Sequence, residues 1–282
     1  MGNTSYDLTE VHRANLIMLK EIDRICRKYN LKYILDSGTL LGAVRHHGFI
    51  PWDDDVDIAM TRNNYEMFQR VAKRELPEGI TLLRPEDIRK GEVFYDFTAR
   101  LIYEKSKRYS ENEETAFYDE RLNHLWIDIF VIDRIPDSRY GDRAARFLQK
   151  AVYGLAMGHR RDLDYEKYSP ADRLRVHVLA GAGKLIPMPA IYRLQKKLAA
   201  KDRKKKTKHM YYTNYAPDWM YVTLKSRWLE EVIDIPFEDT VLMAPAAYDE
   251  MLRQLYGDYM QLPPKDKRHP EHSDFTFWTE EA

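Results

Sequence analysis

The sequence predicts an α+β fold, with a mixed sheet flanked by helices in the N-terminal half and a mostly helical C-terminal half. Two patterns lead there. Short apolar or alternating runs that read as strands gather before residue 136, at 33–35, 55–59, 80–83, 97–103 and 126–133. After it, 3.6-residue periodicity dominates, at 141–157, 170–180, 190–200 and 245–256.

Each element has a local reason. Thr9 reads as the N-cap of a first helix whose Val11, Met18 and Ile25 form one stripe beside Ile22 and Tyr29, ending near Asn30. Residues 33–35 read as a short buried strand, and Gly38-Thr39 as a turn into a helix over 40–45. Residues 55–59 alternate acid and apolar. Thr61 caps a helix over 62–76, with Tyr65, Phe68, Ala72 and Leu76 inward. Ser169, Pro170 and Asp172 make a capped helix start, and Gly257 is a natural stop. The break at Ile135-Pro136-Asp137 divides a catalytic core, 1–136, from a helical substrate and acceptor region, 137–282, packed on it or continuous with it.

Composition excludes several classes. The chain has 282 residues, with 45 Lys+Arg against 45 Asp+Glu, so it lacks the basic excess of a nucleic-acid binder. The single cysteine, Cys26, excludes an internal disulfide and a cysteine-based zinc cluster, and fits a reducing cytoplasm. No apolar run reaches 18 residues, and the first six residues carry neither a secretory nor a myristoylation pattern.

The chemistry concentrates in Gly48-Phe49-Ile50-Pro51-Trp52-Asp53-Asp54-Asp55-Val56-Asp57-Ile58. On a strand, Asp53, Asp55 and Asp57 share one face. Their apolar flanks imply partial burial, and like charges brought together out of water call for a counter-ion. Mg²⁺ suits such a place, because it takes one or two carboxylates together with substrate phosphates. Asp128 is an acid inside an apolar strand, placed to face Asp55 and Asp57 from next door; Asp36 is a further acid at a strand end. Gly38 and Thr39 open a helix whose N-terminal amides could hold a phosphate, and Arg45 could neutralise one.

Small turn, short helix, Asp-x-Asp and a distant third Asp resemble the polymerase-beta-like nucleotidyltransferase superfamily. At closer range, residues 36–58 resemble the signature of the LicD family of bacterial phosphocholine transferases, to which the fukutin-related protein is more distantly similar. The resemblance continues at residues 127–133, Phe237-Glu238, 244–248, 255–260 and Pro263-Pro264, followed by Arg268 and His272. Residues 140–210 carry no matching motif.

The resemblance implies a nucleotidyltransferase-like core and transfer of phosphocholine from CDP-choline to a sugar hydroxyl of a cell-surface glycan precursor, such as lipopolysaccharide or teichoic acid, with CMP leaving. It implies Mg²⁺ or Mn²⁺ at Asp55, Asp57 and Asp128, with Asp128 as ligand, proton acceptor or both, and Asp53 behind them. Gly38, Thr39, Arg45, Arg268 and His272 are the expected substrate contacts. Other CDP- or CMP-linked cargo (phosphoethanolamine, a phosphonate, a polyol phosphate) or a nucleotidyltransferase releasing pyrophosphate would use the same acids. A quaternary ammonium needs aromatic faces, for which Trp219, Tyr221 and Trp228 are candidates among many aromatics. Residues 193–209 hold nine Lys or Arg and one acid after an apolar stretch, 185–192, which suggests contact with anionic lipid around a lipid-linked acceptor at the inner face of the cell membrane.

Overall fold

The computed structural model describes residues 7–108, 113–270 and 277–279. In chain order its helices are α1 (Thr9–Lys28), α2 (Ser37–His46), α3 (Arg62–Glu75), α4 (Glu113–Phe117), α5 (Arg139–Ala156), α6 (Pro170–Gly183), α7 (Met188–Ala199) and α8 (Tyr248–Tyr256). Its strands are β1 (Ile34–Leu35), β2 (Asp57–Thr61), β3 (Ile80–Leu83), β4 (Ala99–Tyr103), β5 (Ser106–Arg108), β6 (Leu125–Ile135), β7 (His209–Tyr212), β8 (Leu224–Lys225), β9 (Val232–Phe237), β10 (Thr240–Pro245) and β11 (Phe277–Thr279). The fold is α+β, as expected.

The main sheet is mixed, in the order β1-β2-β6-β4-β3. Only β2 and β6 run parallel; the other pairs are antiparallel. Strand β6 is the spine. Its Ile132 pairs with both Thr61 of β2 and Tyr212 of β7, so β7 continues the edge that β4 occupies lower down. The sheet therefore does not stop at residue 136: β7 and β8 extend it from the C-terminal half. The hairpin β9–β10 packs on β1 and α1.

Alternation along β6 sends Ile127 and Ile129 to a fully buried face and leaves Trp126 and Asp128 half-buried on the other. The buried face meets α1 and α3 through Met18, Leu19, Ile22, Ile25 and Phe68, all at 0 % exposure. Truncating Phe68 to Ala at such a place costs about 3–5 kcal/mol. A second core joins α5, α6 and α7 to Phe94, Phe97 and Met220.

One local expectation is corrected. Thr9 is the first residue of α1 rather than its cap, and its amide donates to Asp7 Oδ1 at 3.0 Å. Thr61 is the N-cap residue of α3, as expected, although its hydroxyl accepts from the Asn64 side chain, at 3.1 Å, rather than from a helix amide.

Candidate active site

Asp57, Asp128 and Arg100 are direct cross-strand partners on β2, β6 and β4. Residues opposite one another share a face, so the three stand in one row. Asp36 extends it, its amide donating to the Asp57 carbonyl at 3.1 Å just past β1. The row thus carries three acids and one arginine.

The sequence builds the row tightly. Asp36 accepts the Ser37 amide at 2.9 Å at the head of α2, and Ser37 takes a left-handed φ of 46° to turn from strand to helix. One turn on, the buried Thr39 hydroxyl accepts the Asp57 amide at 2.9 Å. Glycine at 38 makes room for the Asp53 carboxylate, because a Cβ there would lie 2.5 Å from Asp53 Oδ2 and push it aside. Gly38 and Thr39, expected as phosphate contacts, here make room for Asp53 and position Asp57. Asp53 is held from behind as well: His12 bonds its carbonyl at 2.8 Å and stacks on Phe49, centroids 4.5 Å apart.

Crowding raises proton affinity. Burial, then the charges of Asp128, Asp55, Asp36 and Asp53, holds the Asp57 carboxyl well above the usual carboxylate range. Burial pushes Asp36 up to about 6, although hydrogen bonds from Tyr212 and Ser37 pull the other way. The buried Asp36 Oδ2 has no hydrogen-bond partner among the described residues and suits a proton or a cation. Asp55 is exposed at the edge of this group.

Asp128 stands where expected, beside Asp57, but in company the sequence reading left out. Arg100 Nε lies 3.1 Å from its Oδ1, and Trp126 Nε1 donates to its Oδ2 at 3.3 Å. Arg100 also pairs with Asp96 and lies between the Tyr95 and Trp126 rings. Among the described residues, no three His, Cys, Asp or Glu side chains are gathered closely enough to hold a metal by themselves. Asp57 and Asp128 in the row, with Asp55 at its edge, fit an ion that completes its shell with phosphate oxygens, as the sequence implied.

Arg45 and Arg268 come together from far apart in sequence. Burial, then the charge of Arg268, lowers the Arg45 pKa, and neither guanidinium makes an ion pair among the described residues. Arg45 donates to His46 and to the Tyr259 carbonyl; Arg268 lies 5.5 Å from the Trp52 ring. The charges of Asp36, Asp57 and Asp53 help burial raise the Tyr256 hydroxyl, which also acts on Arg45, so it is near both the acids and Arg45. His272 falls outside the described residues.

Further groups complete the site. Tyr215 is raised by burial and by the charges of Asp57, Asp128, Asp36 and Asp55, and its ring stacks on Trp219 at 5.3 Å and 16°. Of the sequence's aromatic candidates, Trp219 stands here at 39 % exposure, Tyr221 is exposed elsewhere on the surface, and Trp228 is core, bonded to Glu250. Glu238, at the β9–β10 turn, accepts the Phe49 amide at 2.9 Å, and a Cβ on Gly48 would strike its carboxylate. The hairpin thereby clamps the acidic loop. Arg100 could have been found by the argument that found Asp128, a charge inside an apolar strand; Tyr215 and Glu238 carry no such signal.

A cavity of about 150 Å³ lies at the other end of β2 and β6, lined by Thr61, Arg62, Asp133 and Arg203 among others. There Arg62 pairs with Asp133 and Arg203 with Glu66, and the cavity lies at the end of the strands away from the acid row.

Known proteins give this geometry a context. The sequence profile of the LicD/FKTN/FKRP nucleotidyltransferase domain matches residues 30–165, the stretch holding Asp36, Asp57, Arg100 and Asp128. The lipopolysaccharide cholinephosphotransferase LicD of Haemophilus influenzae is 28% identical over 272 residues, covering 94% of this chain and 96% of that one. An uncharacterised protein of Rickettsia prowazekii is 27% identical over 160 residues, 55% of this chain and 49% of its own length. The domain that frames the acid row, and a relative similar along nearly the whole chain, make this protein similar to the LicD family, over residues 30–165 and over 94% of its length respectively.

Proposed function

We propose that this phosphotransferase moves phosphocholine from CDP-choline to a hydroxyl of a lipid-linked cell-surface glycan precursor, with CMP leaving. The observation that carries this reading is the juxtaposition of an acid-rich row, which calls for a cation, with the Arg45–Arg268 pair, which calls for an anion. A metal–diphosphate donor satisfies both. The relative's name, a lipopolysaccharide cholinephosphotransferase, supports the cargo and the kind of acceptor.

Asp55 and Asp57 would hold Mg²⁺ or Mn²⁺. When bound, the ion would offset charge on the diphosphate oxygens. Arg45 and Arg268 take the remaining phosphate charge through their fork-shaped donors. The Tyr215–Trp219 pair offers a ring face beside the acids, which suits a trimethylammonium group that cannot donate a hydrogen bond. Asp128, oriented by Arg100 and Trp126, receives the acceptor's proton as the new P–O bond forms at the phosphorus nearest choline. The bond from that phosphorus to the bridging oxygen breaks, and the electron pair leaves with CMP.

The test is to incubate the full chain with CDP-choline, Mg²⁺ and a lipopolysaccharide precursor. CMP release with phosphocholine mass on the glycan is expected, with none in excess EDTA. Pyrophosphate released from CTP, with a nucleotide on the acceptor, would overturn the reading.

A further inference from the structure

Net charge zero conceals a segregation. Residues 137–208 hold nineteen Lys and Arg against seven Asp and Glu, so the rest of the chain is acidic by the same margin. This basic part folds as α5, α6, α7 and their connections. It is also where large apolar side chains stand in solvent: Tyr140 at 84 %, Phe147 at 70 %, Leu174 at 67 %, Val178 at 63 % and Leu185 at 86 %.

These residues are ordered along the helices. On α5, Tyr140, Ala144, Phe147 and Leu148 fall at helical spacing on one exposed stripe; on α6, Leu174, Val178, Ala182 and then Leu185 do the same. Each helix is therefore apolar on two sides. One side packs the second core through Val152, Tyr153 and Ala180, and the other is bare. The two helices lie against each other, Gly154 close to Leu179 and Gly183 close to Leu155. Exposed Arg139, Arg143, Lys150, Arg175 and Lys184 are interleaved with the stripes. The 185–192 stretch that the sequence offered for lipid contact is mostly spent elsewhere: Met188, Ile191 and Tyr192 are buried, and Leu185 alone stands far out.

We propose that the exposed stripes of α5 and α6, with Leu185 at their end, dock on an anionic lipid bilayer, the side chains entering the interface while the interleaved arginines and lysines meet the headgroups. Apolar stripes alone would suit several occupants; the local positive excess selects a negatively charged lipid surface. The inference rests on the lipid-linked acceptor for its purpose but not for its test, which uses neither donor nor acceptor.

The experiment is co-sedimentation of the full chain with vesicles of phosphatidylglycerol and phosphatidylethanolamine, and separately of phosphatidylcholine. The wild type should bind the anionic vesicles at low salt and not the zwitterionic ones. Phe147→Ser, Leu174→Ser, Val178→Ser and Leu185→Ser combined should weaken binding at least about tenfold, since each removes apolar surface from the interface. Arg139→Gln, Arg143→Gln and Lys150→Gln combined should remove much of the salt-sensitive part. All these side chains are exposed, so thermal melts should match the wild type. Three results would each overturn the proposal: no wild-type binding at low salt, equal binding by the apolar variant, or a wild-type dimer in sedimentation velocity that the apolar variant abolishes.

Discussion

Strands β2 and β6 carry charged groups at both ends, handled in opposite ways. Beyond the C-terminal end of β2, Arg62 meets Asp133 at 2.5 Å with Thr213 bonded to both, and the pair is buried at 8 % and 2 % side-chain exposure. At the N-terminal end, Asp36, Asp57 and Asp128 stand side by side, and Arg100 pairs with Asp128 and with Asp96. One end joins the strands through a buried ion pair. The other crowds acids onto one face, and its register fixes this, since slipping β2 by one residue would turn Asp57 to the opposite face. The ion pair holds the strands together; the crowded acids at the same strands' other end are what a cation and a diphosphate can satisfy.

The sharpest break in that contrast is Asp57→Asn. Turnover should fall about a thousandfold or more, because several kcal/mol of charge stabilisation at the phosphate depend on that carboxylate. The melting temperature should hold or rise, because one repelling charge is gone. Near-normal turnover would place the chemistry elsewhere. At the ion-paired end the same kind of change should do the reverse. Asp133→Ala strands a buried guanidinium and should cost about 3–5 kcal/mol, seen as a lower denaturant midpoint. Turnover per folded molecule should persist. Replacing both partners, Arg62→Met with Asp133→Leu, should recover most of the loss; failure to do so would mean the pair does more than neutralise itself.

Much of this was legible in sequence. Strand 80–83 and the acids at 55, 57 and 128 stand out because period and composition are local signals. The β9–β10 hairpin, with Pro236 inside a strand and Glu238 at φ 53°, stands out only through the Phe237-Glu238 motif and not through periodicity, and its role as a clamp depends on a contact 189 positions away. Gly38 and Thr39 stand out in the sequence as small residues at a helix start, but only the fold reveals that their neighbours include Asp53 and Asp57. Sequence reports which side chains are unusual; partners such as Arg100 for Asp128 emerge from register.

The crowded end should also give itself away in pH. Asp36 ionises near 3.8 when unfolded and at about 6 when folded, so between those values the native state keeps a proton that the unfolded chain has lost. Stability should be full below the lower value and fall as pH rises through the window, by on the order of 3 kcal/mol. Asp57 adds a fall of the same sign, so the measurement is the difference between wild type and Asp36→Asn in EDTA. Asn still accepts from Tyr212 and Ser37 but does not titrate, and its profile should be flatter. Identical profiles would remove Asp36 from the strained set.

The smallest expected effect is at Trp219, and it tests whether the crowded acids also serve the cargo. Tyr215 lies near the acids proposed to hold the metal and stacks on Trp219, so a permanent cation held there would gain from both ring faces and carboxylates. A cation over an aromatic ring contributes about 0.5–2 kcal/mol, so Trp219→Ala should raise the KM for CDP-choline roughly 2- to 30-fold with little change in kcat. Trp219→Phe should retain most of the affinity. CDP-glycerol supplies the comparison, because its head group carries no positive charge; its KM should be unmoved by the substitution. A loss of the same size for both donors would mean that Trp219 packs the wall of the site without recognising charge, and the choline end would then have to lie elsewhere along the acid row.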